Sequence, residues 1–399
     1  MNYLAFVFIV LFFVSSISSQ ELTTGKWEAS LQLNDSIVLP FDLIVTKETI
    51  IIKNGVEEIP LKKPVKKENG IIYDFKEFNS YLIINEFKEN ELIGYWVNKD
   101  RKSKSIIPFN AEHSNDQKLT SIKLPFSLGG KWEIVFNPNN SGSYPAIGQF
   151  KQEGKQISGT FLTETGDYRF LTGKIKENGS YYLSCFDGSH VFLFDGKIVD
   201  DSISGVFYSG KHWNTNFIGA KNEEATLADP YQLTYLKENH SFEFNKKKLN
   251  SESYQFPNKQ TEGKVIIIQI IGSWCPNCLD ETRFFKEIYK DYNAQGLEII
   301  GVGYEVPKNF EKQAERLQKY KENLDIPYTL LVGGTARKDI ASEDFYMLNE
   351  ISSFPTSILI NKNGEIVRIL TGFNGPGTGV IYEEYVSETR RLIEELLKE

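Results

Sequence analysis

The strongest constraint on the fold is a continuous apolar run, KVIIIQII at residues 264–271, which is followed at once by GSWCPNCLDE. After its lysine the run is apolar except for Gln269, as expected for a central strand covered on both faces. From Phe284 onward, apolar residues recur at helical spacing. The sequence therefore predicts a buried strand that passes through a Cys-Pro-Asn-Cys segment into an amphipathic helix.

The segments that follow alternate between strand and helix patterns. A second buried strand (LEIIGVGY), a second amphipathic helix (residues 308–324) and a third strand (YTLLVGG) come first. After an irregular or helical stretch at residues 336–348, two strands joined at Asn363-Gly364 and a helix at residues 382–398 complete the chain. This order predicts an α/β domain over residues 225–399, called the α/β region below.

Residues 20–224, called the β region below, have a different pattern. Segments such as SYLIIN, QISGTFL, DYRFLTGKI, HVFLFDGKI and ISGVFYSG are rich in β-branched and aromatic residues, and turn residues separate them at intervals of roughly eight to twelve residues. This pattern predicts an all-β barrel or sandwich. GKWE occurs at residues 25–28 and again at 130–133, which suggests duplicated halves at residues 25–113 and 130–224.

Length and charge restrict the class of protein. A chain of 399 residues is long enough for two or three domains at roughly 150 residues each. The net charge of −8 argues against nucleic-acid binding, because phosphate contacts require clustered Lys and Arg.

The first residues predict export. An apolar stretch at residues 4–14, followed by small residues, is typical of a signal peptide, here assigned to residues 1–19. It is shorter than the about 20 residues that span a bilayer. The sequence therefore predicts a periplasmic or otherwise exported envelope protein that does not span the membrane after the signal is cleaved.

Three cysteines allow at most one internal disulfide. A bridge between Cys275 and Cys278 would close so small a loop that it would stabilise the fold little, which favours a chemical role for the pair. Cys185, in YYLSCFDG, is predicted to be a small buried apolar residue.

The position of Cys275 between a strand and a helix predicts a nucleophile. Unpaired N–H groups and the helix dipole stabilise a thiolate there, so we expect the pKa of Cys275 to be lowered. Pro276 suits the first helical turn because its missing N–H would have had no helical partner. Cys278 returns to the same face and can attack a mixed disulfide formed by Cys275.

Two further elements support this site. Phe354-Pro355 stands immediately before a predicted strand, where a cis peptide bond would let the loop present backbone groups to an extended substrate chain. Trp274 either provides a flat apolar surface beside the Cys275 sulfur or has only a structural role in packing.

Together, Cys-Pro-Asn-Cys after a strand, Phe-Pro-Thr before a hairpin and the order of elements resemble the thioredoxin superfamily, and within it the TlpA-like and redoxin-type oxidoreductases of bacterial envelopes. The resemblance implies a mixed sheet flanked by helices, with the first cysteine exposed and the second partly buried. It also implies that Glu281 helps to move a proton to or from Cys278, although an ordinary first-turn carboxylate is the alternative. Gln269 replaces the buried Asp of thioredoxin, and Arg283 replaces a proline common in TlpA-like helices.

Other chemistries fit less well. Zinc would need two further ligands, and neither a second Cys pair nor a His pair exists; the scattered His113, His190 and His212 lack ligand spacing. A cysteine hydrolase would need an orienting histidine, and His240 lies well before the first predicted strand of the α/β region. No metal and no cofactor is predicted.

The sequence thus predicts an exported thiol-disulfide oxidoreductase, most simply a disulfide reductase that works through a mixed disulfide. Its expected partners are a disulfide-bearing protein substrate and an unidentified thiol electron donor. An envelope ligand-binding protein with a vestigial redox domain and a peroxiredoxin-like peroxidase are the alternatives. The assignment requires that Cys275 be reachable from solvent.

Overall fold

The computed structural model describes residues 22–101, 103, 105–114 and 124–399. The predicted signal peptide at residues 1–19 lies outside the described residues. Strands of the described chain assemble into three sheets, two in the β region and one in the α/β region. In the part of the chain that the structure describes, no helix combines the length and apolar character needed to cross a bilayer.

The first sheet is antiparallel and open, in the order β4-β3-β2-β1-β9-β8-β7-β6-β5. Alternate residues of its strands face the core, as in β2, where Leu39, Phe41, Leu43 and Val45 are buried. The strands are β1 (Gly25–Gln32), β2 (Val38–Val45), β3 (Ile50–Asn54), β4 (Glu57–Pro60), β5 (Val65–Lys67), β6 (Gly70–Asp74), β7 (Ser80–Lys88), β8 (Glu91–Asn98) and β9 (Ile106–His113).

The second sheet closes on itself. Strand β11 pairs with both β10 and β12, which joins eight strands into a barrel. The short β13 pairs antiparallel with the end of β12. Aromatic rings fill the interior, among them Phe136, Phe161, Phe194 and Phe207. The strands are β10 (Gly130–Phe136), β11 (Tyr144–Glu153), β12 (Gln156–Thr163), β13 (Gly166–Asp167), β14 (Leu171–Ile175), β15 (Ser180–Phe186), β16 (Val191–Val199), β17 (Ser202–Ser209) and β18 (Trp213–Lys221).

The two GKWE segments occupy matching places in these sheets. Each starts the first strand of its half, and that strand pairs with the second and the last strand of the same half. Trp27 donates to the carbonyl of Thr23 at 3.0 Å, and Trp132 donates to that of Leu128 at 2.8 Å, in each case four residues earlier. On these grounds we propose that the two halves are related by duplication.

The third sheet is mixed, in the order β20-β19-β23-β22-β21-β24-β25. Strands β21, β22 and β23 are parallel, and the other pairs are antiparallel. Its strands are β19 (Phe244–Lys248), β20 (Ser253–Phe256), β21 (Val265–Ile271), β22 (Leu297–Glu305), β23 (Thr329–Thr335), β24 (Thr356–Ile360) and β25 (Ile366–Thr371). The helices are α1 (Pro276–Tyr292), α2 (Phe310–Leu324), α3 (Lys338–Asp344) and α4 (Val380–Lys398), with short 3-10 helices at Asn293–Gln295 and Pro376–Thr378.

The predicted fold class, an all-β region followed by an α/β thioredoxin-like region, is confirmed. The sequence left a barrel and a sandwich open for the β region. The second half forms a closed barrel, and the first half forms an open sheet. Sequence patterns missed β19 and β20, and they placed Arg169 inside a strand. It lies just before β14 instead, in a left-handed backbone conformation with φ of 60°.

Candidate active site

Cys275 lies where β21 gives way to α1. It is the N-cap residue of this 17-residue helix, with extended φ and ψ of −99° and 115°. The backbone N–H of Cys278 donates to Cys275 Sγ at 3.4 Å. The sulfur therefore lies at the positive end of the helix dipole.

Cys278 has a different environment one turn further along the helix. Its side chain is 0% exposed. Burial, reinforced by the neighbouring Cys275, raises the pKa of the Cys278 thiol well above its usual range. Cys278 therefore needs a proton acceptor before it can act as a nucleophile.

Glu281 is a buried carboxyl on the same helix. Gln269 Nε2 donates to Glu281 Oε2 at 2.9 Å, whereas Oε1 has no hydrogen-bond partner among the described residues. Burial raises the pKa of Glu281 to about 7, although Gln269 and the nearby Ser357 partly oppose this. Negative charge on Glu281 also raises the pKa of Cys278, so the two groups are electrostatically coupled.

A polar network behind the helix holds Gln269 in place. Its amide oxygen accepts from the Tyr328 hydroxyl at 3.1 Å, and its amide nitrogen donates to Thr282 Oγ1 at 3.2 Å. The Tyr320 hydroxyl in turn donates to Thr282 at 3.0 Å. Sequence reasoning found none of the three partners, because they come from separate elements and no local spacing connects them.

The loop before β24 closes the other side of the sulfur. The Phe354–Pro355 peptide bond is cis, as predicted. The Cys275 thiol donates to the carbonyl oxygen of Phe354 at 3.5 Å.

Trp274 is held from two directions. Its indole N–H donates to the carbonyl of Tyr304 at 2.9 Å, and its ring meets that of Phe354 edge to face at 5.9 Å.

The residue before Trp274, Ser273, donates through its backbone N–H and its hydroxyl to the buried carboxyl of Glu305, at 2.9 and 2.8 Å. Burial raises the pKa of Glu305 to about 7. Sequence reasoning had not singled out Glu305.

The third cysteine lies away from this arrangement, in β15 of the barrel. Cys185 is 0% exposed, which confirms that it is buried, and burial raises its pKa well above the usual range. All three cysteines are free thiols. Within the described residues, no group of three or more His, Cys, Asp or Glu is placed to hold a metal ion.

One expectation from the resemblance is wrong: Cys275 is not exposed. Only 8% of it is accessible to solvent. Segments of the β region lie over the site and contact the motif directly. Arg169 Nη1 donates to the carbonyl of Pro276 at 3.1 Å, and Asn277 Nδ2 donates to the carbonyl of Asp167 at 3.1 Å. Cys278, expected to be partly buried, is fully buried.

Comparisons with known proteins match part of the chain. The model of the AhpC/TSA family matches residues 238–369. Thiol-disulfide oxidoreductase ResA of Halalkalibacterium halodurans is 29% identical over 124 residues, which cover 31% of this chain and 62% of that protein. ResA of Geobacillus thermodenitrificans is 34% identical over 113 residues, which cover 28% of this chain and 56% of that protein. The chain therefore spans less than two thirds of these relatives.

Among solved structures, a thiol:disulfide interchange protein of Chlorobium tepidum matches with 16% identity and a TM-score of 0.30, over 39% of this chain and 94% of that one. The family match and the curated relatives, taken with the observed sheet, establish the class of the C-terminal region. It contains a thioredoxin-superfamily domain of the redoxin type.

Proposed function

We propose that the chain is a thiol-disulfide oxidoreductase whose redox centre is the Cys275/Cys278 dithiol. The observation that carries the proposal is the position of Cys275 Sγ at the N-terminus of α1, with Cys278 N–H donating to it. Support comes from the curated relatives named thiol-disulfide oxidoreductase and from the AhpC/TSA family model, whose match at residues 238–369 contains both cysteines.

The proposed reaction is a two-electron exchange. The Cys275 thiolate attacks one sulfur of a substrate disulfide, whose S–S bond breaks and releases a thiolate. Cys278 then transfers its proton, for which the Glu281 carboxylate is the proposed acceptor, and attacks Cys275 Sγ. This step releases the second substrate thiolate and leaves a Cys275–Cys278 disulfide. An external thiol donor restores the dithiol, and reduction of a protein disulfide is the direction that we propose.

Substitutions of the cysteines test the assignment with dithiobis(nitrobenzoate), a small disulfide. Prereduced wild-type protein is expected to release two equivalents of aromatic thiolate, while Cys278→Ser releases one and retains a mixed disulfide on Cys275. Cys275→Ser should react at least about a hundredfold more slowly, because it leaves only thiols of raised pKa. Cys185→Ser is the matched control and should behave like wild type.

Mass spectrometry locates the adduct in Cys278→Ser. An adduct on Cys185, or undiminished reaction of Cys275→Ser, would reject the assigned roles.

We further propose export, on the basis of the apolar stretch at residues 4–14. Protein sequencing of the mature chain, purified from the cell envelope of an expressing bacterium, should place its first residue near residue 20. A chain that is retained in the cytoplasm with residue 1 intact would reject export.

A further inference from the structure

The segments of the β region that lie over the redox site form two loops, residues 163–169 and 187–190, called the cover loops below. They contact the segment before Cys275, the cis-proline loop and the turn after β25. Ser189 Oγ donates to the carbonyl of Trp274 at 2.9 Å. Ser353 Oγ, next to the cis peptide, donates to the carbonyl of Thr165 at 3.0 Å, and Gly375 N–H donates to Asp167 Oδ1 at 3.2 Å.

The fit between the two regions leaves little room. Gly166 has a φ of +126°, and a Cβ atom at this position would lie 2.9 Å from both Asn277 Nδ2 and the carbonyl oxygen of Phe373. At Gly372, a Cβ atom would overlap the carbonyl of Thr165. The cis-proline loop is the expected place for the backbone of an extended substrate chain, and the cover loops occupy this face.

Arg169 connects the cover to the helix that carries the cysteines. Its side chain is buried and forms ion pairs with Glu57 of the first sheet, Asp187 of the second cover loop and Asp280 of α1. The pair with Asp187 spans 3.1 Å. All three carboxylates are largely buried. Losing the guanidinium would leave Glu57 without its ion pair, and it would leave Asp280 with Arg283 and Asp187 with His190 as their remaining partners. This loss strongly disfavours the closed arrangement.

Apolar contacts across the rest of the interface are few. Every buried member of the large α/β core lies at or after Phe242, and Phe78, between β6 and β7, packs against this core. A small second cluster places Ile147 and Leu162 of the barrel with Ile381 of α4. The first sheet and the barrel, in contrast, share a core that includes Phe186, Val191 and Leu193. The β region is therefore one body, and hydrogen bonds, ion pairs and a few apolar contacts join it to the α/β region. An interface without a large apolar core permits relative domain motion.

We propose that the cover loops control access to the dithiol, and that Arg169 is the residue that holds them closed. In the closed arrangement, a small disulfide or thiol reaches Cys275 and a protein disulfide does not. Separation of the β region from the α/β region exposes the face on which a protein chain binds. This inference rests on the proposed redox function and assigns the β region the role of selecting substrates by size.

Alkylation of Cys275 tests the cover without requiring turnover. The full chain with Cys185→Ser and Cys278→Ser retains one thiol, and its rates with N-ethylmaleimide and with a polyethylene glycol maleimide are compared. For each thiol, the rate with the large reagent is divided by the rate with the small reagent. We expect this ratio to be at least about tenfold lower for the protein than for a free thiol peptide. Arg169→Met should remove most of this difference. Lys155→Met, which breaks an exposed ion pair with Glu177 on the barrel, should leave it unchanged.

A second variant guards against misfolding of Arg169→Met. Ser189→Ala with Ser353→Ala removes two hydrogen bonds across the interface and leaves the ion pairs intact; it should raise the relative rate of the large reagent severalfold. If neither variant changes the ratio of the two rates, or if the wild-type ratio equals that of the peptide, the cover does not control access.

Reduction assays separate this inference from the proposed function. Wild-type protein that reduces dithiobis(nitrobenzoate) but shows no size discrimination would reject the cover alone. Failure of wild type and Arg169→Met to reduce that small disulfide would reject the redox function. Arg169→Met should reduce insulin at least about tenfold faster than wild type does.

Discussion

At the scale of single residues, burial separates side chains that are close in sequence. Cys275 and Cys278 are three residues apart, yet Cys278 is fully buried and the pKa of its thiol is raised well above its usual range. Glu281, three residues further on, has a pKa of about 7 for the same reason. A buried carboxyl that titrates near neutral pH is suited to exchange a proton with a neighbouring thiol.

Glu281 should make stability depend on pH. Its pKa rises from 4.5 to about 7 on folding, so between these pH values the folded protein holds a proton that the unfolded chain has lost. Stability therefore falls as pH rises through this range, by up to about 3 kcal/mol. Glu281→Gln retains an acceptor for Gln269 and removes the titration. From pH 5 to pH 8, its unfolding free energy should gain about 3 kcal/mol relative to wild type.

Urea unfolding at the two pH values measures this difference. Glu68→Gln, at an exposed position, is the control and should follow wild type. Parallel pH dependence of Glu281→Gln and wild type would show that Glu281 does not titrate in this range.

At the scale of elements, the site depends on how loops meet. The N-terminus of α1 positions Cys275, the cis peptide before β24 faces its sulfur, and the turn after β25 presses against the first cover loop. Gly372 in that turn has φ of +75° and lies against the backbone of Thr165. Gly364, between β24 and β25, has a similar φ of +85° with no atom near its missing Cβ.

This pair of glycines gives a matched comparison. Gly364→Ala should lose roughly 1–2 kcal/mol of stability through its left-handed backbone alone. Gly372→Ala should lose about 1–3 kcal/mol more, because its methyl group must displace the cover loop. Thermal unfolding measures the stabilities, and the rate of Cys275 alkylation should rise for Gly372→Ala only. Equal losses of stability for the two substitutions would show that displacing Thr165 costs no measurable free energy.

At the scale of the whole molecule, a shared core unites the two β sheets, while the α/β region keeps a core of its own. Arg169 joins the two bodies through Asp280 of α1, which lies 111 residues away along the chain. The interface is therefore sensitive to a single substitution, because replacing Arg169 removes an ion pair from each of three buried acids.

Hydrogen exchange should reveal this division. In Arg169→Met, amides of residues 163–169 and 187–190 should exchange at least about tenfold faster than in wild type, because loss of one partner of a buried pair costs about 3–5 kcal/mol. Amides of β16 and β21 should keep their protection, since each lies within its own core. Equal loss of protection in β16, β21 and the cover loops would contradict two separable bodies. Lys155→Met again serves as the control, because exposed pairs contribute about 0–1 kcal/mol.

Local patterns were sufficient for much of the α/β region. The apolar run of β21, the proline at the first position of α1 and the Phe-Pro step before β24 each act through neighbouring residues, so their conformations were predictable. Strands β19 and β20 were missed because they are short and carry few apolar residues. Closure of the barrel depends on pairing between β11 and β12, whereas the first half, with the same GKWE start, remains open.

The sequence by itself determined the order of elements and the location of the dithiol at a helix start, because hydrophobic periodicity and backbone preferences act over a few residues. Only the tertiary structure decided that Cys275 is covered, that burial raises the pKa of Glu281 to about 7 and that Arg169 pairs with three carboxylates. Desolvation and ion pairing depend on which distant segments come together, and Arg169 lies more than a hundred residues from the helix that it holds.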